Sequence, residues 1–153
     1  MSPSYLFVYG TLRLGASADL SLQYPDAVRW ITKGWVHGHL YRVSYYPGLV
    51  LPLQGKSQVS GLPQCATANR VIGDIFEVLT PAELIPCLDD FEACSERFEP
   101  PHEYVRQKMD VFVEGAAPLS AWVYLYNLDT EGLAPIFSGD FLDSKEEKTR
   151  PIP

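Results

Sequence analysis

Two short stretches hold the residue types that could do chemistry. The first is Leu6-Phe7-Val8-Tyr9-Gly10-Thr11-Leu12-Arg13, an apolar run that ends abruptly in Tyr-Gly-Thr-Leu. Such a run reads as a buried strand, and the glycine at its end permits backbone dihedrals closed to other residues. The chain can then turn sharply and point successive backbone N–H groups at one spot. That makes an anion or oxyanion site without a charged side chain. On spacing alone the signal is weak, because most strand–glycine junctions are ordinary turns. The second stretch is Leu88-Asp89-Asp90-Phe91-Glu92, an acidic helix end far downstream. Taken alone, Glu92 could be a solvated acid at a helix end. Asp89 and Asp90 could orient backbone N–H groups, pair with Arg106, or be surface charge. Arg13 and Arg106 could receive a ligand carboxylate, and Arg106 could instead hold the acidic cluster in place.

Other reactive residue types form no pattern. Cys94 lies two residues past Glu92, with no histidine nearby in sequence to activate it as a nucleophile. Cys65, Cys87 and Cys94 lack the pair spacing of a metal site, and their odd number fits reduced thiols. His37 and His39 would share one face of a strand, and with His102 they make no zinc motif. No metal and no cofactor are expected.

The elements that must position the two stretches are mostly strands. Tyr5–Tyr9 is the first, followed by a polar loop with a short helix over 13–23. Trp35–Val43 alternates imperfectly and reads as one strand, with Val36, Gly38, Leu40 and Arg42 on one face. Pro47-Gly48 turns the chain into a short apolar segment, Leu49–Leu53. The stretch 54–70 reads as a surface excursion that could contain a short hairpin. Val71–Val78 is a strand whose Gly73 suggests a bulge or a close backbone approach. Thr80-Pro81-Ala82-Glu83 has the grammar of a helix start, with Thr80 as cap and Glu83 completing a capping box. Leu84, Cys87, Leu88 and Phe91 then fall on one side, and Pro86 predicts an irregular or kinked helix that ends near Glu92. Residues 93–103 read as a polar loop. Tyr104–Glu114 and Leu119–Tyr126 are strands of a hairpin around Ala116-Ala117-Pro118. Gly139-Asp140-Phe141-Leu142 could close back on the strands, and 144–153 reads as a loose tail. No internal repeat and no second domain are seen, so one domain is expected over 1–143.

The 153 residues suffice for one domain with a real core, and 13 prolines with 11 glycines argue against a helical bundle. Nineteen acidic residues face 12 basic ones, a formal charge of −7 with no basic stripe. Nucleic acid and anionic membrane surfaces are therefore not expected as partners. No apolar run approaches the roughly 20 residues of a membrane helix. The opening Met-Ser-Pro-Ser-Tyr lacks the basic region of a secretory signal, which predicts a soluble cytoplasmic protein. Oligomeric state is not readable.

In this order the motifs resemble the gamma-glutamyl cyclotransferase family, which includes the avirulence-induced-gene-like proteins. The resemblance rests on Val8-Tyr9-Gly10-Thr11-Leu12-Arg13 and on Leu88-Asp89-Asp90-Phe91-Glu92 followed by Tyr104-Val105-Arg106. Tyr46-Pro47-Gly48, Trp122-Val123-Tyr124 and Ser138-Gly139-Asp140-Phe141 support it. It implies an α+β fold, a small mixed α/β barrel. It also implies one essential acid at the helix end, which matches Glu92, and a substrate-binding loop that matches Tyr9, Gly10, Thr11 and Leu12, though Leu12 could equally be a core plug and Tyr9 a packed strand residue with a satisfied hydroxyl. Tyr104 and Tyr124 would pass beneath the site, their hydroxyls free to bond Glu92 or substrate, with core packing as the competing reading. Arg13, Asp89 and Arg106 would give support.

Members of the family cleave a γ-glutamyl amide by intramolecular attack of its α-amine, releasing 5-oxoproline and an amine. The motif wording is most like the branch acting on γ-glutamylamines. A single glutamate with a raised pKa suits that reaction, because the substrate brings its own nucleophile and proximity supplies roughly 7–11 kcal/mol. The sequence departs from the family in having Ala93 where many members have glycine. It also departs in a longer connection, 93–102, whose Glu96 and Glu99 would favour cationic or neutral leaving amines over glutathione. Two alternatives stand beside the enzyme: a non-catalytic small-molecule binding module on the same fold, and a related enzyme removing a γ-glutamyl group from a biosynthetic product.

Overall fold

The run Leu6–Tyr9 is apolar at every position because both of its faces are covered. A computed structural model of the chain describes residues 3–44, 46–51, 70–92 and 101–142. In it β1 (Ser4–Val8) sends Phe7, and Tyr9 just beyond it, into one buried cluster with Val36, Ile75 and Val123. Leu6 and Val8 point the other way, into a second cluster with Phe76, Leu84 and Leu88. Alternate side chains of a strand face opposite sides, so a strand packed on both sides loses the polar half of its pattern.

β1 pairs antiparallel with β5 (Arg70–Val78), Val8 opposite Asp74. β5 pairs antiparallel with β2 (Val28–His37), which meets β6 (Tyr104–Val113) at Trp35 and Phe112. β6 forms a hairpin with β7 (Ala116–Tyr126), and β7 returns to β1 in parallel through Trp122 and Leu6. The order β1-β5-β2-β6-β7 closes a barrel, and closure removes the sheet edges. The fold is therefore the expected small mixed α/β barrel with few helices. Gly73 is a close approach: a Cβ there would lie 2.3 Å from the Val8 carbonyl oxygen.

Several boundaries differ from the sequence reading. The strand expected over Trp35–Val43 begins at Val28 and breaks at Gly38, where the chain leaves the barrel for a second sheet. That sheet contains β3 (His39–Arg42), β4 (Pro47–Val50) and β8 (Ala134–Pro135) in the order β4-β3-β8. A Cβ on Gly38 would lie 2.8 Å from both Leu49 Cδ1 and the Val50 carbonyl oxygen, so the crossing needs glycine. The hairpin turns at Glu114-Gly115 rather than at 116–118, with Gly115 at φ 76°. Pro118 is inside β7, beside the register shift between Val111 and Val113, where a missing N–H is tolerated.

Between β1 and β2 the short helix α1 (Leu20–Gln23) starts on Asp19, whose carboxylate accepts from the Ser21 N–H at 2.9 Å. The longer helix α2 (Pro81–Phe91) has Pro81 in its first turn, as expected, and the cap Glu92 follows it. Thr80 makes no side-chain cap bond; its carbonyl instead accepts from the Glu83 and Leu84 N–H groups. α2 runs unbroken through Pro86. Its buried face is Leu84, Ile85 and Leu88, while Cys87 and Phe91 are exposed, so the helix is rotated from the expected face. Burying leucines of this kind stabilises the docking of α2 on β1 by roughly 1.5–3 kcal/mol each.

Phe141 is fully buried in the barrel core, and the Gly139 carbonyl accepts from the Ile72 N–H at 2.8 Å, so this segment does close back on the barrel. The possible hairpin within 54–70, the end of the segment after Leu51, Cys65, Ala93, Cys94, Glu96, Glu99 and the tail 144–153 lie outside the described residues. No helix among the described residues is long and apolar enough to cross a membrane.

Candidate active site

The end of β1 and the end of α2 meet at one buried cluster, which Leu84 and Leu88 of α2 share with Leu6 and Val8 of β1. A cavity of about 240 Å³ opens where they meet. Tyr9, Gly10, Thr11 and Leu12 line it from the turn after β1, and Phe91 and Glu92 line it from the helix end. Tyr104 and Tyr124 line it from β6 and β7, with Tyr46, Pro47 and Glu103 completing the wall. The structure thus brings Glu92 and the six residues expected to bind substrate to one concave surface.

The turn is tight. The Arg13 N–H donates to the Gly10 carbonyl at 3.1 Å, and the Ala18 N–H donates to the Thr11 carbonyl at 2.8 Å. Among the described residues no acceptor takes the N–H groups of Gly10, Thr11 and Leu12. Gly10 is not at positive φ. Its role is close approach: a Cβ would lie 2.6 Å from Pro47 Cδ and 2.7 Å from Pro47 Cγ. A Cβ on Gly48 would in turn lie 2.7 Å from the Tyr126 side chain. The Tyr-Gly-Thr-Leu motif therefore fits against the Tyr-Pro-Gly motif through Gly10 and Pro47, and Gly48 lets the latter pack closely on Tyr126 of β7.

Arg13 stands apart from the cavity wall and does not greet a ligand there. Its guanidinium is buried, donating through Nε to Asp74 Oδ2 at 3.0 Å and through NH1 to Asp140 Oδ1 at 3.0 Å. Asp74, also buried, accepts from the Leu14 N–H at 3.1 Å and from Trp30 Nε1 at 3.1 Å. This network ties the loop after the turn to β5, to β2 and to the Gly139-Asp140-Phe141 segment. A buried pair of this kind is strongly destabilising to break from one side.

Asp89 and Arg106 form the pair that the sequence left as one of several options. Arg106 donates from Nε and NH2 to the two Asp89 oxygens at 2.8 and 3.0 Å. Its guanidinium lies 4.5 Å from the centre of the Trp122 ring. The Tyr124 hydroxyl donates to Asp89 Oδ1 at 2.8 Å. Asp89 thus pins the last turn of α2 to β6 and β7, one helical turn before Glu92.

The tyrosines line the cavity, but their hydroxyl hydrogens are directed to the protein. Tyr9 donates to the Tyr124 carbonyl at 2.6 Å and accepts from the Leu49 N–H at 3.2 Å. Tyr104 donates to the Pro47 carbonyl at 2.6 Å. Burial first, and then neighbouring groups including Glu92, push both hydroxyls far above the ordinary tyrosine range, so both stay protonated.

Glu92 caps α2 with φ −90° and ψ 6°, its N–H donating to the Leu88 carbonyl at 2.8 Å. Burial, and secondarily the carboxylate of Glu103, push its pKa from 4.5 up to about 7. A group poised there can both take and give a proton at neutral pH. Glu103 was missed in the sequence, where it reads as the last residue of a polar loop. So was its partner Tyr46, whose hydroxyl donates to Glu103 Oε2 at 2.6 Å. Only the adjacency of Glu103 to Tyr104 hinted at it. Among the described residues no group of three or more histidine, cysteine or acidic side chains could hold a metal ion.

Several solved structures share this fold. An AIG2-like protein from Mus musculus is 22% identical, covers 100% of this chain and 97% of its own, and gives a TM-score of 0.66. YkqA from Bacillus subtilis is 22% identical with a TM-score of 0.63, matching 99% of this chain. The chain spans 45% of the length of that B. subtilis protein. The ytfP protein from Escherichia coli is 24% identical over 92% of this chain and 98% of its own, with a TM-score of 0.55. A comparison with curated proteins gives no match. The profile of the gamma-glutamyl cyclotransferase, AIG2-like family matches residues 6–143, and the chain belongs to that family.

Proposed function

We propose that the protein is a γ-glutamyl cyclotransferase that cleaves a γ-glutamyl amide, of the γ-glutamylamine type, with Glu92 as its general acid and base. The observation that carries this reading is the placement of Glu92 in one cavity with the turn Gly10–Leu12, where burial pushes its pKa up to about 7. A carboxylate left in water would titrate near 4 and would be a weak base at neutral pH.

The α-carboxylate of the substrate or the oxyanion that forms at its γ-carbonyl would meet the N–H groups of Gly10, Thr11 and Leu12. Glu92 takes a proton from the α-ammonium, and the freed amine attacks the γ-carbonyl carbon. A carbon–nitrogen bond to the α-nitrogen forms and the bond to the departing nitrogen breaks. Two protons leave the α-nitrogen and two reach the departing nitrogen, so the amine leaves as its ammonium form and Glu92 ends as it began. No water is consumed. Proximity supplies much of the rate, roughly 7–11 kcal/mol for a well-placed intramolecular reaction, so one proton-transfer group suffices.

The test is to incubate the purified protein with a panel of γ-glutamyl amides, including alkylamine and lysine conjugates and glutathione, and to detect 5-oxoproline. Release from the alkylamine or lysine conjugates is the expected result. Release from none of them would leave the chain as a binding module on this fold.

A further inference from the structure

Two carboxylates, Glu92 and Glu103, line the cavity, and among the described residues no lysine, arginine or histidine lines it with them. Glu103 is held from both ends. The Tyr46 hydroxyl donates to its Oε2 at 2.6 Å, and its carbonyl accepts from the Asn127 N–H at 2.8 Å. The bond from Tyr46 fills one of about four acceptor sites on a carboxylate. The field of Glu103 reaches Glu92, since it is one of the two causes that keep Glu92 protonated toward neutral pH. A cation bound against Glu92 therefore also lies in the field of Glu103.

On the cyclotransferase reading, on which this inference rests, the substrate supplies that cation. Its α-ammonium must reach Glu92 to give up a proton. We propose that Glu103 is a second substrate-contacting carboxylate, which holds the α-ammonium of the γ-glutamyl group beside Glu92 and orients the α-nitrogen toward the γ-carbonyl. Glu103 accepts a hydrogen bond from an N–H that the nitrogen retains, and it neither gains nor loses a proton over the cycle. The arriving ammonium also offsets the repulsion between the two acids. It leaves Glu92 ionised, and so ready to act as base, at the moment the substrate is bound.

The test uses the Glu92→Gln variant, which cannot take the proton, and measures binding by calorimetry. The ligands are γ-glutamylbutylamide and glutaric acid monobutylamide, which differ only in the α-amine. With Glu103 intact, the γ-glutamyl ligand should bind about tenfold more tightly, equivalent to about 1.4 kcal/mol. Adding Glu103→Gln should close the gap to about twofold or less. A gap that is absent with Glu103 intact, or that survives its replacement, overturns the proposal. A glutamine at 103 keeps an oxygen for the Tyr46 hydroxyl, so the fold should survive.

Kinetics give an independent readout in the otherwise natural sequence. Glu103→Gln should raise KM, and it should move the acid limb of kcat/KM to lower pH because Glu92 loses its repelling neighbour; an unchanged KM also overturns the proposal. The two readings fail separately. If γ-glutamylbutylamide yields no 5-oxoproline but the binding gap depends on Glu103, cyclisation is wrong and the ammonium site stands. If 5-oxoproline forms and the gap ignores Glu103, only the ammonium site is wrong.

Discussion

Glu92→Gln should make the protein more stable in mild alkali while removing its proposed chemistry. At low pH the carboxyl of Glu92 is neutral in both the folded and the unfolded chain, so it contributes no pH dependence. Between 4.5 and about 7 the folded chain keeps the proton that the unfolded chain has lost. The folded state then binds more protons, and stability falls as pH rises through that window, levelling above it. At about 1.4 kcal/mol per pH unit the full interval is worth roughly 3 kcal/mol. Glu92 keeps some contact with solvent, so about 2 kcal/mol is the better figure. Glutamine has nearly the same shape and carries no charge at any pH. Thermal unfolding at pH 5 and pH 8.5 measures the effect. The variant should lie within about 2 °C of the unsubstituted protein at pH 5 and exceed it at pH 8.5 by about 4–8 °C, given roughly 2–4 °C per kcal/mol for a chain of this size. Equal melting temperatures at pH 8.5 would mean that Glu92 titrates as an ordinary surface acid, and the reasoning from burial would be wrong.

Other substitutions probe the parts that hold the site. Arg13→Met should destabilise by about 3–5 kcal/mol by leaving Asp74 buried without its cation, and adding Asp74→Asn should recover part of the loss in urea unfolding. Recovery of nothing would show that the charges are not coupled. Gly10→Ala must push Pro47 or the turn aside at a cost of about 1–3 kcal/mol. If the turn N–H groups bind substrate, a shift of about 1 Å should lower turnover by up to 100-fold, and unchanged kcat/KM would remove the turn from the mechanism. Tyr124→Phe deletes one bond to Asp89 but leaves both bonds from Arg106. A loss of about 1–2 kcal/mol is expected in denaturant titration, and no loss would show that Arg106 alone fixes the helix end.

How much could be read from the sequence depended on whether the cause was local. Leu6–Tyr9 was readable because burial on both faces leaves an unbroken apolar run, and α2 was readable from Pro81 and its spaced leucines. The rotation of α2 was not. Cys87 and Phe91 are as apolar as Ile85, and the wheel cannot choose between the two faces. Packing Ile85 inward places Glu92 on the cavity and leaves Phe91 at its rim, 55% exposed. Gly38 sits in an alternating pattern that looks continuous, and only the approach of Leu49 and Val50 explains the break. Arg13 was read as a residue that could receive a ligand carboxylate. Its partner Asp74 is 61 residues away in sequence, and no local pattern reveals the pair. The same holds for Tyr46 and Glu103, 57 residues apart, so the second acid of the cavity emerged only from the fold.

The most direct test of the central claim is the pH dependence of 5-oxoproline release from γ-glutamylbutylamide, measured with the unsubstituted protein and with Glu92→Gln. The unsubstituted protein should show kcat/KM falling on the acid side with a midpoint near 7, since only the ionised carboxylate accepts the α-ammonium proton. Glu92→Gln should reduce release by at least about 100-fold at every pH, the scale of a lost general acid–base group. A variant that still cyclises the amide at an undiminished rate would contradict the assignment of Glu92.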